Sequence, residues 1–276
     1  MTHVNGQSIR YLEFNNPPST SKLRRKQPER KVLILLHGLG ASAERWLYVS
    51  NTLSKHFRVI IPDIIGFGYS DKPVAEYTID FFIEFFRGFL DNLNIAKSLI
   101  VGSSFGGYLA TEFVIRFNEQ VEKLILAAPS GLMRTSTRVL DQYIMAALYP
   151  TFESAKIAFT SMAYDPITVT ESTVRDFVNR MRLPNAKYAF MSTLLGIRDS
   201  PKLYGRLSQV NVPTLLVWGD NDNMIPLQYS NGFQEIPDNE LVIINKCGHT
   251  PYVEKPEEFT DVALKFLNNT TSPDLT

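Results

Sequence analysis

An apolar strand that runs into a glycine-flanked serine constrains the fold of this chain more than any other feature. Residues 97–101 (Lys-Ser-Leu-Ile-Val) have the pattern of a buried strand, and a helical pattern extends from residue 105 to about residue 117. Between them lies Gly102-Ser103-Ser104-Phe105-Gly106. A sharp strand-to-helix turn requires glycine at its flanks, because a Cβ there would collide with neighbouring backbone. This context predicts that Ser104 stands at the apex of the turn as a nucleophile.

The composition limits the classes of partner. The 276 residues include 28 basic and 28 acidic side chains, so the formal net charge is zero. Proteins that bind nucleic acid or a membrane surface usually have a basic excess, and we therefore expect a small-molecule partner. The single cysteine, Cys247, excludes a disulfide framework and disfavours a structural zinc cluster. The first residues lack a signal-peptide pattern, and no apolar run approaches the roughly 18 residues of a membrane span. We expect a cytoplasmic enzyme.

Short apolar runs alternate with helical patterns along much of the chain. The predicted strands cover residues 31–36, 57–61, 98–101, 121–127, 213–218 and 240–244. This alternation predicts an α/β fold with a mostly parallel sheet and helices on both faces.

Three further segments lie outside this alternation. Asn5-Gly6, between short β-type runs, predicts an N-terminal hairpin. The basic, proline-containing residues 15–30 are interpreted as a solvated loop, and residues 268–276 as a frayed tail. Residues 130–206 contain no convincing buried strand but several helix-like runs separated by proline.

We interpret residues 130–206 as a helical lid inserted into the α/β core. Its apolar, methionine-rich composition suits a poorly polar ligand. The predicted organisation is therefore a core α/β domain in two parts, residues 1–129 and 207–276, with the lid between them.

A serine nucleophile needs a base within hydrogen-bond reach, and the base needs an acid that orients it. Among the four histidines, His249 follows Cys247 and Gly248 in the loop after a predicted strand, where parallel sheets collect functional groups. The acid is expected in the loop after the preceding strand, which offers Asp220 and Asp222. Asp222 is preferred because it lies deeper in that loop. The order of nucleophile, acid and histidine is the one expected for a serine elbow.

The His37-Gly38-Leu39-Gly40 loop follows the first predicted buried strand and could form an oxyanion hole. Negative charge develops on the carbonyl oxygen during attack, and backbone N–H groups must stabilise it. The N–H groups of Leu39 and Phe105 are the candidates. His37 itself is interpreted as a residue that shapes this loop.

The same loop also fits a different class of site. Residues 38–43 match the dinucleotide-binding pattern Gly-x-Gly-x-x-Ala, and Asp63 ends the following strand, where a ribose-binding acid is expected. The second glycine-rich turn at Ser104, together with the order of Asp222 and His249, disfavours this alternative.

Five segments in this order resemble the α/β-hydrolase fold family. They are residues 37–40 (His-Gly-Leu-Gly), 62–73 (Pro-Asp-Ile-Ile-Gly-Phe-Gly-Tyr-Ser-Asp-Lys-Pro), 102–107 (Gly-Ser-Ser-Phe-Gly-Gly), 218–222 (Trp-Gly-Asp-Asn-Asp) and 247–249 (Cys-Gly-His). The resemblance covers nearly the whole chain.

This resemblance implies an eight-stranded sheet and a helical lid after the sixth strand. It also implies a triad of Ser104, Asp222 and His249, with oxyanion donors at Leu39 and Phe105. Such a site needs neither a cofactor nor a metal.

Serine in the nucleophile position favours acyl transfer, and the first hypothesis is a hydrolase of small to medium apolar carboxylic esters. The alternative is carbon–carbon bond cleavage, because the chain also resembles meta-cleavage-product hydrolases, which share the Gly-Phe-Gly-x-Ser loop seen at residues 66–70. Those enzymes typically have a Gly-Pro-Gly oxyanion loop and an aromatic residue after the histidine. This chain instead has Gly-Ala-Ser at residues 40–42 and Thr250.

Two arginines of the predicted lid, Arg180 and Arg182, are the first candidates to bind a substrate carboxylate. A third hypothesis is a binding module that retains the triad without turnover. The sequence leaves the oligomeric state open.

Overall fold

The computed structural model describes residues 1–15 and 30–269. Most of the predicted basic loop and of the predicted C-terminal tail lies outside these residues. The strands are β1 (Thr2–Val4), β2 (Gln7–Ile9), β3 (Tyr11–Phe14), β4 (Val32–Leu36), β5 (Arg58–Pro62), β6 (Ser98–Ser103), β7 (Val121–Ala127), β8 (Thr214–Gly219) and β9 (Asn239–Ile244).

A seven-stranded sheet in the order β3-β5-β4-β6-β7-β8-β9 forms the centre of the molecule. β3 pairs with β5 in the antiparallel sense, and the other pairs are parallel. β6 lies in the middle of the sheet, and all six of its residues are buried. The predicted mostly parallel α/β fold is confirmed.

The strand count differs from the eight strands that the resemblance implies. β1 and β2 form a separate antiparallel hairpin, whose turn at Asn5 and Gly6 has positive φ at both residues. Arg10 joins this hairpin to β3: its N–H donates to Ser70 Oγ at 2.9 Å, and its carbonyl accepts from the N–H of Asp63 at 2.8 Å, next to the pairing of β3 with β5. In the described residues β1 and β2 pair with each other, and the central sheet has seven strands.

Helices cover both faces of the sheet. Alternate residues of β4 point to opposite sides: Leu33 and Leu35 belong to one apolar cluster, Ile34 and Leu36 to the other. The helices are α1 (Leu47–Leu53), α2 (Ile79–Asn92), α3 (Phe105–Arg116), α4 (Arg138–Leu148), α5 (Phe152–Met162), α6 (Glu171–Met181), α7 (Ala186–Asp199), α8 (Ser230–Phe233), α9 (Pro251–Glu254) and α10 (Pro256–Asn268). α1 and α10 lie on one face, and α2 and α3 on the other.

Between β7 and β8 the chain forms the helices α4 to α7. Three of them begin at a threonine whose hydroxyl accepts a backbone N–H of the first turn: Thr137 for α4, Thr151 for α5 and Thr170 for α6. Each cap accepts a hydrogen bond from an N–H group that has no partner within the helix, and it typically stabilises the fold by about 1 kcal/mol. These local signals explain why the chain becomes helical here.

Within the described residues, every helix is too short or too polar to cross a bilayer.

Candidate active site

Ser104 lies at the junction of β6 and α3 in a strained backbone conformation. Its φ is 52° and its ψ is −117°, a combination that residues other than glycine rarely adopt. A Cβ on Gly102 would lie 2.4 Å from the carbonyl oxygen of Gly106, and a Cβ on Gly106 would lie 2.4 Å from that of Leu36. Both glycines are therefore required for the close approach of strand and helix.

The loop after β4 lies directly against this serine. A Cβ on Gly38 would be 3.3 Å from Ser104 Cβ. Leu39 and Phe105 both line the cavity next to Ser104, and within the described structure no hydrogen bond engages either backbone N–H. Two free donors beside the serine are the arrangement that an oxyanion requires. The hydroxyl of Tyr143, from α4, donates to the carbonyl of Leu39 at 2.6 Å.

His37 is fixed in place by hydrogen bonds to backbone. Its Nε2 accepts from the N–H of Ile64 at 3.0 Å, so Nδ1 carries the proton and donates to the carbonyl of Gly38 at 2.8 Å. Burial lowers the pKa of His37, an effect that the Asp63 carboxylate only partly opposes. A neutral imidazole with both nitrogens occupied shapes the loop and has no free position for proton transfer.

The structure brings Asp222 and His249 together. Asp222 Oδ2 accepts from His249 Nδ1 at 2.8 Å, and both side chains are buried. Asp222 Oδ1 accepts from the N–H groups of Met224 and Ile225 at 2.9 and 2.8 Å, which fixes the carboxylate. The bond to Nδ1 places the proton on that nitrogen and leaves Nε2 free to accept one.

Asp220, the competing acid, lies elsewhere. It is exposed, and its Oδ1 accepts from the N–H of Cys247 at 3.2 Å and from the Asn221 amide at 2.6 Å. Its carboxylate therefore holds the loop that precedes His249 and does not contact the imidazole.

Ser104 and His249 line one cavity of about 920 Å³, at the upper end of the range for small-molecule sites. No hydrogen bond joins the two side chains in the described structure. Such bonds are often longer in a site without substrate. The walls are mainly apolar, and they include Leu132, Met133, Tyr143, Ile144, Phe159, Met162, Phe177, Leu194 and Ile225.

The charged residues of the cavity walls are all basic. Among the described residues that line it there is no aspartate or glutamate; the cations are Arg45, Arg134, Arg180, Arg198 and Lys202. Arg180 is only 4% exposed, forms an ion pair with Asp176, and has no hydrogen-bond partner at Nε among the described residues. The other candidate, Arg182, does not line the cavity, and its guanidinium donates to the carbonyl of Pro150 at 2.9 Å.

A model of the α/β-hydrolase fold matches residues 31–256. The chain belongs to the α/β-hydrolase fold family. The 2-hydroxy-6-oxo-6-(2'-aminophenyl)hexa-2,4-dienoic acid hydrolase of Metapseudomonas resinovorans is 30% identical to this α/β hydrolase over 274 residues, which cover 96% of this chain and 89% of the relative. A 2-hydroxy-6-oxononadienedioate/2-hydroxy-6-oxononatrienedioate hydrolase of Burkholderia vietnamiensis is 29% identical over 252 residues, covering 86% of this chain and 87% of the relative.

A solved structure agrees with these relatives. The meta-cleavage product hydrolase of Pseudomonas fluorescens IP01 superposes with a TM-score of 0.85 at 27% identity, over 97% of this chain and 96% of that one. The predicted resemblance to the family, including its meta-cleavage-product branch, is confirmed.

The dinucleotide alternative fits this α/β hydrolase poorly. The carboxylate of Asp63 is fully buried and accepts from the Arg10 guanidinium, from the N–H of Ala43 at 2.7 Å and from the N–H of Tyr69 at 2.8 Å. No oxygen is left for a ribose, so Asp63 stabilises the loops around the site. Within residues 1–15 and 30–269, no group of three or more His, Cys, Asp and Glu side chains could hold a metal ion.

Two residues that the sequence did not single out lie beside His249. The guanidinium carbon of Arg45 is 5.6 Å from the ring centre of Phe159, and its Nη2 donates to Thr250 Oγ1 at 3.4 Å. Glu254 accepts from the N–H of Thr250 at 3.1 Å. Arg45 follows the loop of residues 37–40, and Glu254 follows residues 247–249. This short distance in sequence was the only sign that either residue lies near the site.

Proposed function

We propose that this α/β hydrolase cleaves a carbon–carbon bond of a 2-hydroxy-6-oxo-dienoic acid. Ester hydrolysis is the first hypothesis from the sequence, but the relatives from Metapseudomonas resinovorans and Burkholderia vietnamiensis favour the alternative, since both match over most of the chain and are named as hydrolases of such acids. In this proposal Ser104 is the nucleophile, His249 the general base and Asp222 the acid that orients it. The N–H groups of Leu39 and Phe105 form the oxyanion hole.

The observation that carries the proposal is the buried guanidinium of Arg180 in the wall of a mainly apolar cavity whose charged lining residues are all basic. Burial lowers the pKa of Arg180, and Asp63 and Glu44 oppose this effect from nearby. Asp176 pairs with one side of the guanidinium, but Nε has no acceptor among the described residues, and an unused donor of a buried cation is unfavourable. The carboxylate of a dienoic acid would supply an acceptor with negative charge, whereas a simple apolar ester would not.

The proposed reaction has a step before nucleophilic attack. The conjugated acid becomes a diketone when its 2-hydroxyl proton moves to C5. Ser104 Oγ then bonds to the C6 carbonyl carbon while His249 Nε2 takes the hydroxyl proton, and the oxyanion is stabilised by the N–H groups of Leu39 and Phe105.

Collapse of this intermediate breaks the C5–C6 bond. The electron pair is delocalised along the conjugated chain to the C2 oxygen, next to the carboxylate that Arg180 would bind. His249 returns its proton to this oxygen, which releases a hydroxydienoic acid. Water then attacks the acyl-enzyme with His249 as base, which releases the second acid and restores Ser104.

The helices α4 to α7 complete the cavity in this proposal. Residues 130–206 act as a lid over a core domain formed by residues 1–129 and 207–276. The lid contributes Arg180 to substrate binding.

Ester hydrolysis remains the second candidate, because two positions depart from the meta-cleavage-product pattern. Residues 40–42 are Gly-Ala-Ser, and Thr250 follows the histidine. Thr250 presents a hydroxyl at the position after the histidine, where those enzymes typically have an aromatic residue.

Steady-state turnover of a dienone acid beside a p-nitrophenyl ester of similar size separates the two candidates. Carbon–carbon cleavage bleaches the dienone chromophore and gives two acids, which mass spectrometry identifies. We expect kcat/KM for the dienone acid to exceed that for the ester. Rapid ester hydrolysis without any cleavage of the dienone acid would establish the second candidate instead.

Replacing Arg180 by glutamine should lower kcat/KM for a dienone acid by about 10- to 100-fold, because a charge-assisted hydrogen bond to the carboxylate is lost. Hydrolysis of an uncharged ester should change by less than about threefold. Arg182→Gln is the matched control, since Arg182 lies outside the cavity. Equal losses with both substrates would show that Arg180 supports the fold and does not bind the acid.

A further inference from the structure

The loop that carries His249 is held by a carboxylate outside the proposed triad. Glu254, the last residue of α9, accepts from the N–H of Gly248 at 2.9 Å through Oε2. Its Oε1 accepts from the N–H of Thr250 at 3.1 Å and approaches the Thr250 hydroxyl at 3.4 Å. One side chain therefore binds both residues that flank the histidine, which restricts rotation of the backbone between them.

The end of α5 also holds this loop. The N–H of His249 donates to the carbonyl of Met162 at 2.9 Å. The N–H of Tyr164 donates to Glu254 Oε2 at 2.8 Å, so one carboxylate oxygen joins the chain after α5 to the histidine loop. We call residues 162–164 the α5 corner.

The α5 corner and the histidine loop are in close backbone contact. A Cβ on Gly248 would lie 2.3 Å from the carbonyl oxygen of Met162 and 2.8 Å from the N–H nitrogen of Tyr164. Both are backbone atoms, which cannot move aside as a flexible side chain can. The glycine at position 248 therefore allows an approach that no other residue permits.

These contacts fix the backbone of His249, whose position Asp222 does not determine. Asp222 determines the tautomer and the direction of Nδ1, but the position of Nε2 also depends on the backbone that carries the ring. Proton transfer depends steeply on such positions, and a shift of about 1 Å can lower a rate by about 10²-fold.

We propose that Glu254 and the α5 corner are positioning elements for His249, so that the inserted helices take part in setting the general base as well as enclosing the cavity. This inference rests on the role of His249 in the proposed function. Glu254 does not itself line the cavity; it contacts the lining residue Thr250 and acts on His249 through the backbone of the histidine loop.

Glu254→Gln tests the carboxylate. A glutamine has one acceptor oxygen, so its NH₂ group would face at least one of the backbone N–H donors that Glu254 now binds. We expect kcat to fall by about 10- to 100-fold while KM stays within about twofold, because Glu254 does not itself line the cavity and glutamine keeps its size. The rate at which a phosphonate ester reacts with Ser104 should fall by the same factor, since that reaction also needs the base. Glu258→Gln, an exposed site on α10, is the control.

Gly248→Ala tests the α5 corner independently, because the added methyl must separate the corner from the loop. The same signature is expected: a lower kcat with a nearly unchanged KM in protein whose melting temperature shows that it is folded. Wild-type kcat in Glu254→Gln would overturn the role of the carboxylate, and wild-type kcat in Gly248→Ala would overturn that of the corner. If Gly248→Ala does not fold, Tyr164→Pro replaces it and is read in the same way, because it removes the N–H that donates to Glu254, and Tyr164→Ala, which keeps that N–H, controls for loss of the exposed phenol.

His249→Asn separates failure of this inference from failure of the proposed function. If that variant keeps wild-type turnover, His249 is not the general base and the proposed function fails. If it is inactive while Glu254→Gln and Gly248→Ala are fully active, only the positioning inference fails.

Discussion

Ser104→Ala is expected to lower turnover by about 10⁴- to 10⁶-fold, the largest effect of any single substitution in this chain. The substitution removes only the hydroxyl group, and no hydrogen bond of the described structure depends on Ser104 Oγ. The strained backbone at this position remains, so the melting temperature should change little. Turnover is measured with both the dienone acid and the ester, because each reaction needs the same nucleophile.

Ser103→Ala is the matched control for this substitution. Ser103 is the last residue of β6 and also lines the cavity, but it stands before the apex of the turn. We expect it to retain turnover within about tenfold, the effect of a single lost hydrogen bond. Comparable losses in both variants would mean that the cavity needs the two hydroxyls for binding and would argue against Ser104 as a nucleophile.

Asp222→Asn should lower kcat by about 10⁴-fold. Its one remaining carbonyl oxygen can keep the bonds to the N–H groups of Met224 and Ile225, and the NH₂ group then faces His249 Nδ1. Nδ1 must become an acceptor, which moves the ring proton to Nε2. Nε2 can then no longer take a proton from Ser104. Binding is preserved, so KM should change much less than kcat.

Asp220→Asn provides the comparison within the same loop. The asparagine oxygen can still accept from the N–H of Cys247, and the exposed side chain does not touch His249. We expect kcat to change by less than about threefold. A larger loss for Asp220→Asn than for Asp222→Asn would reverse the assignment of the acid.

The fold was predictable where the signal is local. An apolar run, glycines on both sides of Ser104 and helix-forming residues predict a strand, a turn and a helix in this order. The structure has β6 and α3 at these positions, with β6 ending at Ser103, two residues beyond the predicted end. The separation of the N-terminal hairpin from the central sheet was not predictable, because Asn5-Gly6 indicates a hairpin locally and does not show whether its strands also pair with residues distant in sequence.

The candidate site shows the same division. The preference for Asp222 over Asp220 followed from loop position, and the structure places Asp222, and not Asp220, against His249. The choice between Arg180 and Arg182 could not be made, because two residues separated by one position on a helix point in different directions and only packing decides which faces the cavity. The contact of Glu254 with Tyr164 joins segments that are 90 residues apart, and no local pattern announces it.

Cys247 gives the histidine loop a natural reporter. The thiol is fully buried two residues before His249, and burial raises its pKa well above the usual range. Because alkylating reagents react with accessible thiolates, iodoacetamide can label this chain only while the loop is transiently open. The chain has no other cysteine, so the labelling rate reports how often this loop opens, and no cysteine has to be introduced for the measurement.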